Sequence, residues 1–278
     1  MRNSKFPYSL AAIDIDDTLV GPDKKISWEN RRAIEQLQAL GCRVVLASGR
    51  RHANMLSFCD ELGLDDFVVS CQGARVEHLR TGELIHHATL MPTDQASLVA
   101  EGHRRGFTVM LWLRETVFAE VATFWVENYS KHAGDDQVTI ADLLPLTSRP
   151  AEKIIWAADP ARITSTSTEM ESRYAGQLSV TITEDWYLEF TALNANKDDG
   201  VAALARHLEI PRSAVLAFGD GHNDVSLLSW AGMGVAMPHG RDAARLAARI
   251  VASDGNPESA LARAVDQLVG EYQSGWVV

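Results

Sequence analysis

The chain has 278 residues, and its 26 Lys and Arg against 37 Asp and Glu give a formal charge of −11. A hydrophobic fraction of 46% and a charged fraction of 23% are typical of a globular protein and exclude a disordered or fibrous chain. The acidic balance argues against non-specific binding to nucleic acids or anionic membranes, since both require a basic face. The length predicts two domains or one large domain.

The expected location of the protein follows from its termini and its cysteines. No apolar run approaches the ~20 residues needed to span a bilayer, and the N-terminus lacks the pattern of a signal peptide. Three cysteines, Cys42, Cys59 and Cys71, form no close pair and favour buried thiols in a reducing compartment. We therefore expect a cytoplasmic protein that binds neither nucleic acid nor membrane. The sequence carries no signal of oligomeric state.

The N-terminal segment alternates between short apolar runs and amphipathic stretches. Residues 10–15, 42–47 and 67–70 are apolar runs typical of buried parallel strands. Residues 28–40 and 51–62 have the periodicity of helices, and each is followed by a glycine. This alternation predicts a parallel sheet with helices on both faces.

The C-terminal segment has the same alternation. We predict strands at 214–218, 234–237 and 250–251 and helices at 198–208, 223–230, 243–248 and 258–268. The two segments together predict one discontinuous domain of residues 1–82 and 191–278.

The middle of the chain, residues 83–190, has a different pattern. Apolar and polar residues alternate there, which favours an antiparallel sheet with one buried face. The predicted strands are 108–113, 116–121, 153–158, 178–182 and 187–190, with a helix at 93–105. We interpret residues 83–190 as a second α/β domain inserted into the first.

Four of the seven tryptophans lie in this insert, at positions 112, 125, 156 and 186. They could stack against a sugar or another ring of a ligand. Packing in the core of the insert is the favoured interpretation, because aromatic residues of alternating strands usually face inward.

The densest chemical signal is the segment Asp14-Ile15-Asp16-Asp17-Thr18-Leu19, directly after the first strand. Strand residues two apart point the same way, so Asp14 and Asp16 are expected to converge at the carboxyl end of the strand, where open α/β sheets bind ligands. Carboxylates packed together raise one another's pKa, and a divalent cation such as Mg²⁺ relieves the repulsion. An acidic turn without a ligand is the alternative.

A second acidic strand end favours the metal interpretation. Gly219-Asp220-Gly221-His222-Asn223-Asp224 follows the predicted strand 214–218 and adds two carboxylates, Asp220 and Asp224. Ser48 and Gly49 follow the second strand, where a hydroxyl and a backbone N–H can hold an anion. Lys197 begins the first helix after the insert, where its cation could neutralise a phosphate and a neighbouring carboxylate.

In this chain order the four segments resemble the haloacid dehalogenase superfamily of phosphohydrolases, and the large insert resembles its Cof-type subgroup. The resemblance implies an α/β fold with a Rossmann-like parallel-sheet core and an inserted α/β cap domain. It also implies a Mg²⁺-dependent phosphatase that hydrolyses a small phosphorylated metabolite, such as a sugar phosphate, through an aspartyl-phosphate.

The resemblance further implies a role for each matching position. The catalytic residues would be Asp14 as nucleophile, Asp16 as general acid and base, Ser48 as phosphoryl ligand and Lys197 as the bridging cation. The metal would be held by Asp14, the main-chain carbonyl of Asp16, and Asp220, Asn223 and Asp224. Substrate would be contacted by Thr18, Gly49, Arg50 and Gly73. Several positions depart from the common pattern: Asp17 stands where Gly is frequent, Ser48 where Thr is commoner, Gln72 where Asn is usual and Asp198 where Gly is usual, and Pro238-His239-Gly240 differs from the common ending of its motif.

Two other functions remain open from the sequence. A sugar phosphomutase or phosphotransferase would use the same aspartyl-phosphate but deliver the phosphoryl group to another acceptor. A non-catalytic phospho-acceptor module would also combine clustered Asp, Ser or Thr and Lys around Mg²⁺, although it would need neither the insert nor an acid two residues after the nucleophile.

Overall fold

The computed structural model describes residues 6–132 and 137–274. The strands in chain order are β1 (Leu10–Ile13), β2 (Arg43–Ala47), β3 (Phe67–Ser70), β4 (Arg75–His78), β5 (Leu84–His87), β6 (Thr108–Leu113), β7 (Thr116–Ala119), β8 (Val138–Ile140), β9 (Lys153–Ala157), β10 (Leu178–Glu184), β11 (Tyr187–Ala192), β12 (Val215–Gly219), β13 (Met233–Ala236) and β14 (Ile250–Val251). The helices are α1 (Trp28–Ala39), α2 (Ala53–Leu62), α3 (Pro92–Arg104), α4 (Phe124–His132), α5 (Pro160–Arg173), α6 (Lys197–His207), α7 (Val225–Trp230), α8 (Asp242–Ala247) and α9 (Ala260–Ser274).

The first sheet has eight strands in the order β14-β13-β12-β1-β2-β3-β4-β5. The six strands from β14 to β3 pair in parallel, while β4 runs antiparallel to β3. Every residue of β1 is buried, as expected for a central parallel strand covered on both faces. The carboxyl ends of β12, β1, β2 and β3 therefore lie at one edge of the sheet, and the α/β class predicted from the sequence is confirmed.

The chain divides into two compact units. The first contains the described residues of Met1–Gly49, Met55–His86 and Asn196–Val278, and the second contains those of Arg50–Asn54 and His87–Ala195. The predicted start of the insert at residue 83 falls one residue before β5. That strand belongs to the eight-stranded sheet. Neither β4 nor β5 is predicted from the sequence, because their residues are largely polar and half-buried.

The loop after β1 is anchored by a buried side chain of α1. Ser27 caps this helix by accepting a hydrogen bond from the N–H of Asn30 at 3.1 Å. Asn30 is fully buried, and its amide nitrogen donates to the carbonyls of Leu19 and Glu258. Its amide oxygen accepts from the N–H of Ala262 at the start of α9. These bonds fix the end of the Asp14–Leu19 loop against two helices.

The second unit contains a six-stranded sheet in the order β10-β11-β9-β6-β7-β8. The side chains of alternate residues on β6, β9 and β11 form its apolar core with α3 and α5. Trp156 is fully buried there and its indole N–H donates to the carbonyl of Leu98 at 3.1 Å. Trp112 is 4% exposed. The core interpretation is confirmed for these two tryptophans, while Trp125 and Trp186 are half-buried.

No helix within the described ranges is long and apolar enough to cross a membrane. Cys42, Cys59 and Cys71 are buried free thiols.

Candidate active site

A buried lysine joins two carboxylates at the carboxyl edge of the first sheet. Lys197 is the first residue of α6 and its side chain is fully buried. Its Nζ donates to Oδ1 of Asp14, which follows β1, and to Oδ1 of Asp224, which follows β12, both at 2.6 Å. The structure therefore brings three of the predicted site residues into direct contact.

Asp220 completes an acidic cluster with these two aspartates. One carboxylate oxygen from each of Asp14, Asp220 and Asp224 lies within 4.8 Å of the others. All the donors are oxygens, the ligands that hard divalent cations prefer, and three carboxylates exceed the single positive charge of Lys197. The donor set and the charge of this cluster fit a divalent metal ion.

The ionisation of the cluster reflects its burial. Burial raises the pKa of Asp14 well above its ordinary value, and the charge of Asp224 adds to this effect, while Lys197 opposes it. Burial also raises the pKa of Asp220 to about 6, with further contributions from the charges of Asp224 and Asp17. For Lys197, burial disfavours the charged form, but the neighbouring carboxylates outweigh it and raise the pKa above its ordinary value. The lysine is thus a permanent cation among carboxylates that repel one another.

Backbone donors and a glycine hold Asp224 in place. Its Oδ2 accepts hydrogen bonds from the N–H groups of Asp220 at 3.0 Å and Gly221 at 2.9 Å. A Cβ atom at Gly219 would overlap the carboxylate of Asp224. Only glycine at this strand end allows the acid to approach so closely, and local sequence pattern does not reveal this requirement.

Gly73 packs against the backbone that directly precedes Lys197, the first residue of α6. Its φ of +91° lies in the left-handed region, and a Cβ atom at this position would overlap the carbonyl oxygen of Asn196. The turn after β3 therefore packs directly on the backbone that precedes Lys197. The contact of Gly73 with substrate stays a prediction.

The loop after β1 contributes a hydroxyl to the cluster. Thr18 is 1% exposed, and its Oγ1 donates to Oδ1 of Asp220 at 3.2 Å. Asp17 has a φ of +56°, a conformation that Asp tolerates better than most residues, which accounts for its occurrence where glycine is frequent in the resembled family. The predicted contact of Thr18 with substrate is not tested by this bond.

Asp16 follows β1 by three residues, and its side chain is bonded to a surface lysine. Its Oδ1 accepts a hydrogen bond from Lys24 Nζ at 3.1 Å, and its side chain is 40% exposed. β1 ends at Ile13, so Asp16 lies in the turn that follows, and its convergence with Asp14 stays a prediction. The acidic cluster among the described residues consists of Asp14, Asp220 and Asp224 without the carboxylate of Asp16.

Three of the remaining predicted site residues, Ser48, Gly49 and Asn223, follow strands of the first sheet at the same edge. Ser48 is buried, with its N–H bonded to the carbonyl of Val69 and its carbonyl bonded to the N–H of Gln72. Asn223 is exposed and donates from Nδ2 to Oε1 of Gln72 at 2.9 Å. A Cβ atom at Gly49 would lie 2.5 Å from Gln72 Nε2. Arg50 belongs to the second unit.

Comparison with known proteins gives consistent results. The model of the haloacid dehalogenase-like hydrolase family matches residues 11–265. Phosphatase YwpJ of Bacillus subtilis is 28% identical over 84% of this chain and 90% of its own length. HMP-PP phosphatase of Serratia proteamaculans is 27% identical over 83% of this chain and 84% of its own. The solved structure of a haloacid dehalogenase-like hydrolase from Bacteroides thetaiotaomicron, 24% identical, has a TM-score of 0.83 and covers 94% of this chain and 99% of that chain, which shows the shared fold.

Proposed function

Since the chain belongs to the haloacid dehalogenase-like hydrolase family and is a Cof-type phosphatase, we propose that it hydrolyses a small phosphorylated metabolite through a phosphoaspartate on Asp14. The observation that carries this proposal is the buried Lys197 between Asp14 and Asp224, within the acidic cluster. A carboxylate at the end of a central strand, held by a permanent cation, is a fixed nucleophile.

In the first step a carboxylate oxygen of Asp14 attacks the phosphorus, and the bond from phosphorus to the leaving oxygen breaks. Lys197 keeps the carboxylate of Asp14 oriented. Its positive charge also stabilises the negative charge that develops on the phosphoryl oxygens. Ser48 and Gly49, at the carboxyl end of β2, would bind the phosphoryl group.

Asp16 would supply the proton that the leaving oxygen needs and take one from water in the second step. Water then attacks the phosphorus, the bond to Asp14 breaks and inorganic phosphate leaves. The exposed side chain of Asp16 forms an ion pair with Lys24, which is also exposed. Exposed ion pairs contribute little free energy, so Asp16 can give up this partner when substrate binds.

The acidic cluster would hold Mg²⁺ through Asp14, Asp220 and Asp224, with the Asp16 carbonyl and Asn223 as further predicted ligands. When bound, the ion would supply positive charge for the phosphoryl oxygens and for the crowded carboxylates. The oxygen-only donor set supports Mg²⁺ over softer metals.

The substrate that we propose is a small phosphorylated metabolite, with a sugar phosphate as one candidate. One similar protein is an HMP-PP phosphatase, which supports this class and adds HMP-PP to the compounds to be tested. The buried free thiols support our further proposal of a cytoplasmic location.

Phosphate release from a panel of phosphorylated metabolites, measured for the wild type and for Asp14→Asn, tests the proposal. We expect Asp14→Asn to lose activity by about 10³-fold or more, because the nucleophile is removed, without loss of thermal stability. Asp17→Asn makes the same chemical change three residues away and should retain activity within a few-fold. Full activity of Asp14→Asn would refute the covalent mechanism, and isomer formation without phosphate release would indicate a mutase.

A further inference from the structure

The side chain of Gln72 spans the carboxyl edge of the first sheet. Gln72 follows β3, whereas its hydrogen-bond partner Asn223 follows β12, and two strands, β1 and β2, lie between β12 and β3. The carboxamide of Gln72 passes over Gly49, where a Cβ atom would lie 2.5 Å from Nε2. One side chain therefore connects the loops that follow three strands of the sheet.

The backbone that carries Gln72 has an unfavourable conformation. Cys71, Gln72 and Gly73 have consecutive positive φ angles of 53°, 60° and 91°, although only the third is a glycine. L-residues adopt this region rarely and at an energetic cost. The N–H of Gln72 donates to the carbonyl of Ser48 at 3.1 Å, which helps to hold the turn. Strain that the surroundings maintain in this way is concentrated at functional sites.

Gln72 determines which end of the Asn223 amide faces the acidic loop. Asn223 is exposed, so its carboxamide would otherwise be free to rotate and to exchange its oxygen and nitrogen positions. Oε1 of Gln72 accepts only the N–H end, from Nδ2 at 2.9 Å. Oδ1 of Asn223 then lies over the backbone of Gly221, where a Cβ atom would be 2.6 Å away. The amide oxygen is thereby held against the loop that carries Asp220 and Asp224.

We propose that Gln72 is a positioning residue, which orients the amide oxygen of Asn223 toward the acidic cluster and thereby strengthens the binding of a divalent cation there. This inference rests on one part of the proposed function, the divalent cation at the acidic cluster. It does not depend on the identity of the substrate. It also gives a physical reason for glutamine at this position, because the shorter side chain of asparagine would not span the distance over Gly49.

The test measures Mg²⁺ binding by isothermal titration calorimetry in the absence of substrate. We expect Gln72→Met, which keeps the length and loses the acceptor, to weaken Mg²⁺ binding about 10-fold, the lower end of the effect of residues that orient metal ligands. In an Asn223→Ala background the same substitution should change the dissociation constant less than about twofold, because the residue through which Gln72 acts is absent. Gln95→Met, a matched change of a buried glutamine in the second unit, should leave Mg²⁺ binding unchanged.

Two further variants separate positioning from a merely structural role. Gln72→Gly removes the strain of the positive φ and should raise the melting temperature while it weakens Mg²⁺ binding. Gln72→Asn, which tolerates this φ, should weaken Mg²⁺ binding as Gln72→Met does.

Unchanged Mg²⁺ binding in Gln72→Met, or equal weakening with and without Asn223, would overturn the positioning role while leaving the phosphatase proposal intact. The opposite result is also informative. If Gln72→Met weakens Mg²⁺ binding only when Asn223 is present, while the wild type releases no phosphate from any substrate, the positioning role is supported and the proposed function is not.

Discussion

Replacing Lys197 by Met removes the positive charge from the acidic cluster and keeps most of the side-chain volume. The lysine side chain is fully buried and bonded to two carboxylates at 2.6 Å. Removing one partner of a buried ion pair costs about 3–5 kcal/mol, because the other charge stays buried without compensation. Here two carboxylates lose their partner, so we expect the metal-free first unit to be destabilised by at least about 3 kcal/mol.

Hydrogen exchange read by mass spectrometry measures this loss in each unit separately. At about 1.4 kcal/mol per factor of ten, the expected change lowers the protection of β1 and β12 amides by about 10²-fold or more. Mg²⁺ should restore more stability to Lys197→Met than to the wild type, because a cation that binds the folded state stabilises it and now meets a more negative cluster.

Lys153→Met is the matched control in the second unit. Lys153 is also buried and its Nζ lies 2.8 Å from Oε2 of Glu189. This variant should lower the protection of β9 amides, leave β1 unaffected and show no added response to Mg²⁺. A loss of less than about 1 kcal/mol in Lys197→Met, or a loss that Mg²⁺ does not reduce, would refute the electrostatic account of the cluster.

Three further predictions concern the metal, the turn after β3 and the thiols. Chelation by EDTA should stop phosphate release and added Mg²⁺ should restore it, whereas activity that survives thorough metal removal would contradict the metal site. Gly73→Ala should destabilise the protein by more than about 2 kcal/mol in chemical denaturation and lower kcat, because strain and overlap add. Gly82→Ala, with a φ of +69° but its nearest neighbour at 3.9 Å, should cost only about 1 kcal/mol; equal effects would disprove the packing argument. Burial raises the pKa of Cys42 and Cys59 to about 12, so at pH 8 about one thiol in 10⁴ is ionised, and iodoacetamide should label them only after unfolding, as peptide mass spectrometry would show.

The sequence predicts the fold well where apolar runs are bounded by glycines or polar loops. The third strand was predicted at 67–70 and the last at 250–251, and the structure has Phe67–Ser70 and Ile250–Val251. The hairpin of β4 and β5 could not be recognised, because its half-buried, polar residues lack the signal of a buried strand.

The candidate site is predictable to the extent that it depends on strand ends. Asp14 and Asp224 directly follow buried strands or lie in the first turn after them, so the order of the strands brings them together. The pairing of Asp16 with Lys24 depends on the exact end of β1, and the bond between Gln72 and Asn223 depends on the spacing of strands β3 and β12. The local alternation of apolar and polar residues encodes neither the exact end of β1 nor the spacing between β3 and β12.

The bond between Lys197 and Asp14 joins residues 183 positions apart, with the whole second unit between them along the chain. During synthesis on the ribosome, β1 therefore emerges long before its parallel neighbour β12 exists. A nascent chain lacking that neighbour leaves one edge of a fully apolar strand without hydrogen-bond partners. Translation must pass residue 197 before the nucleophile can meet its cation, and β12 before β1 gains its second neighbour, so a product truncated before residue 197 would be both inert and prone to aggregate.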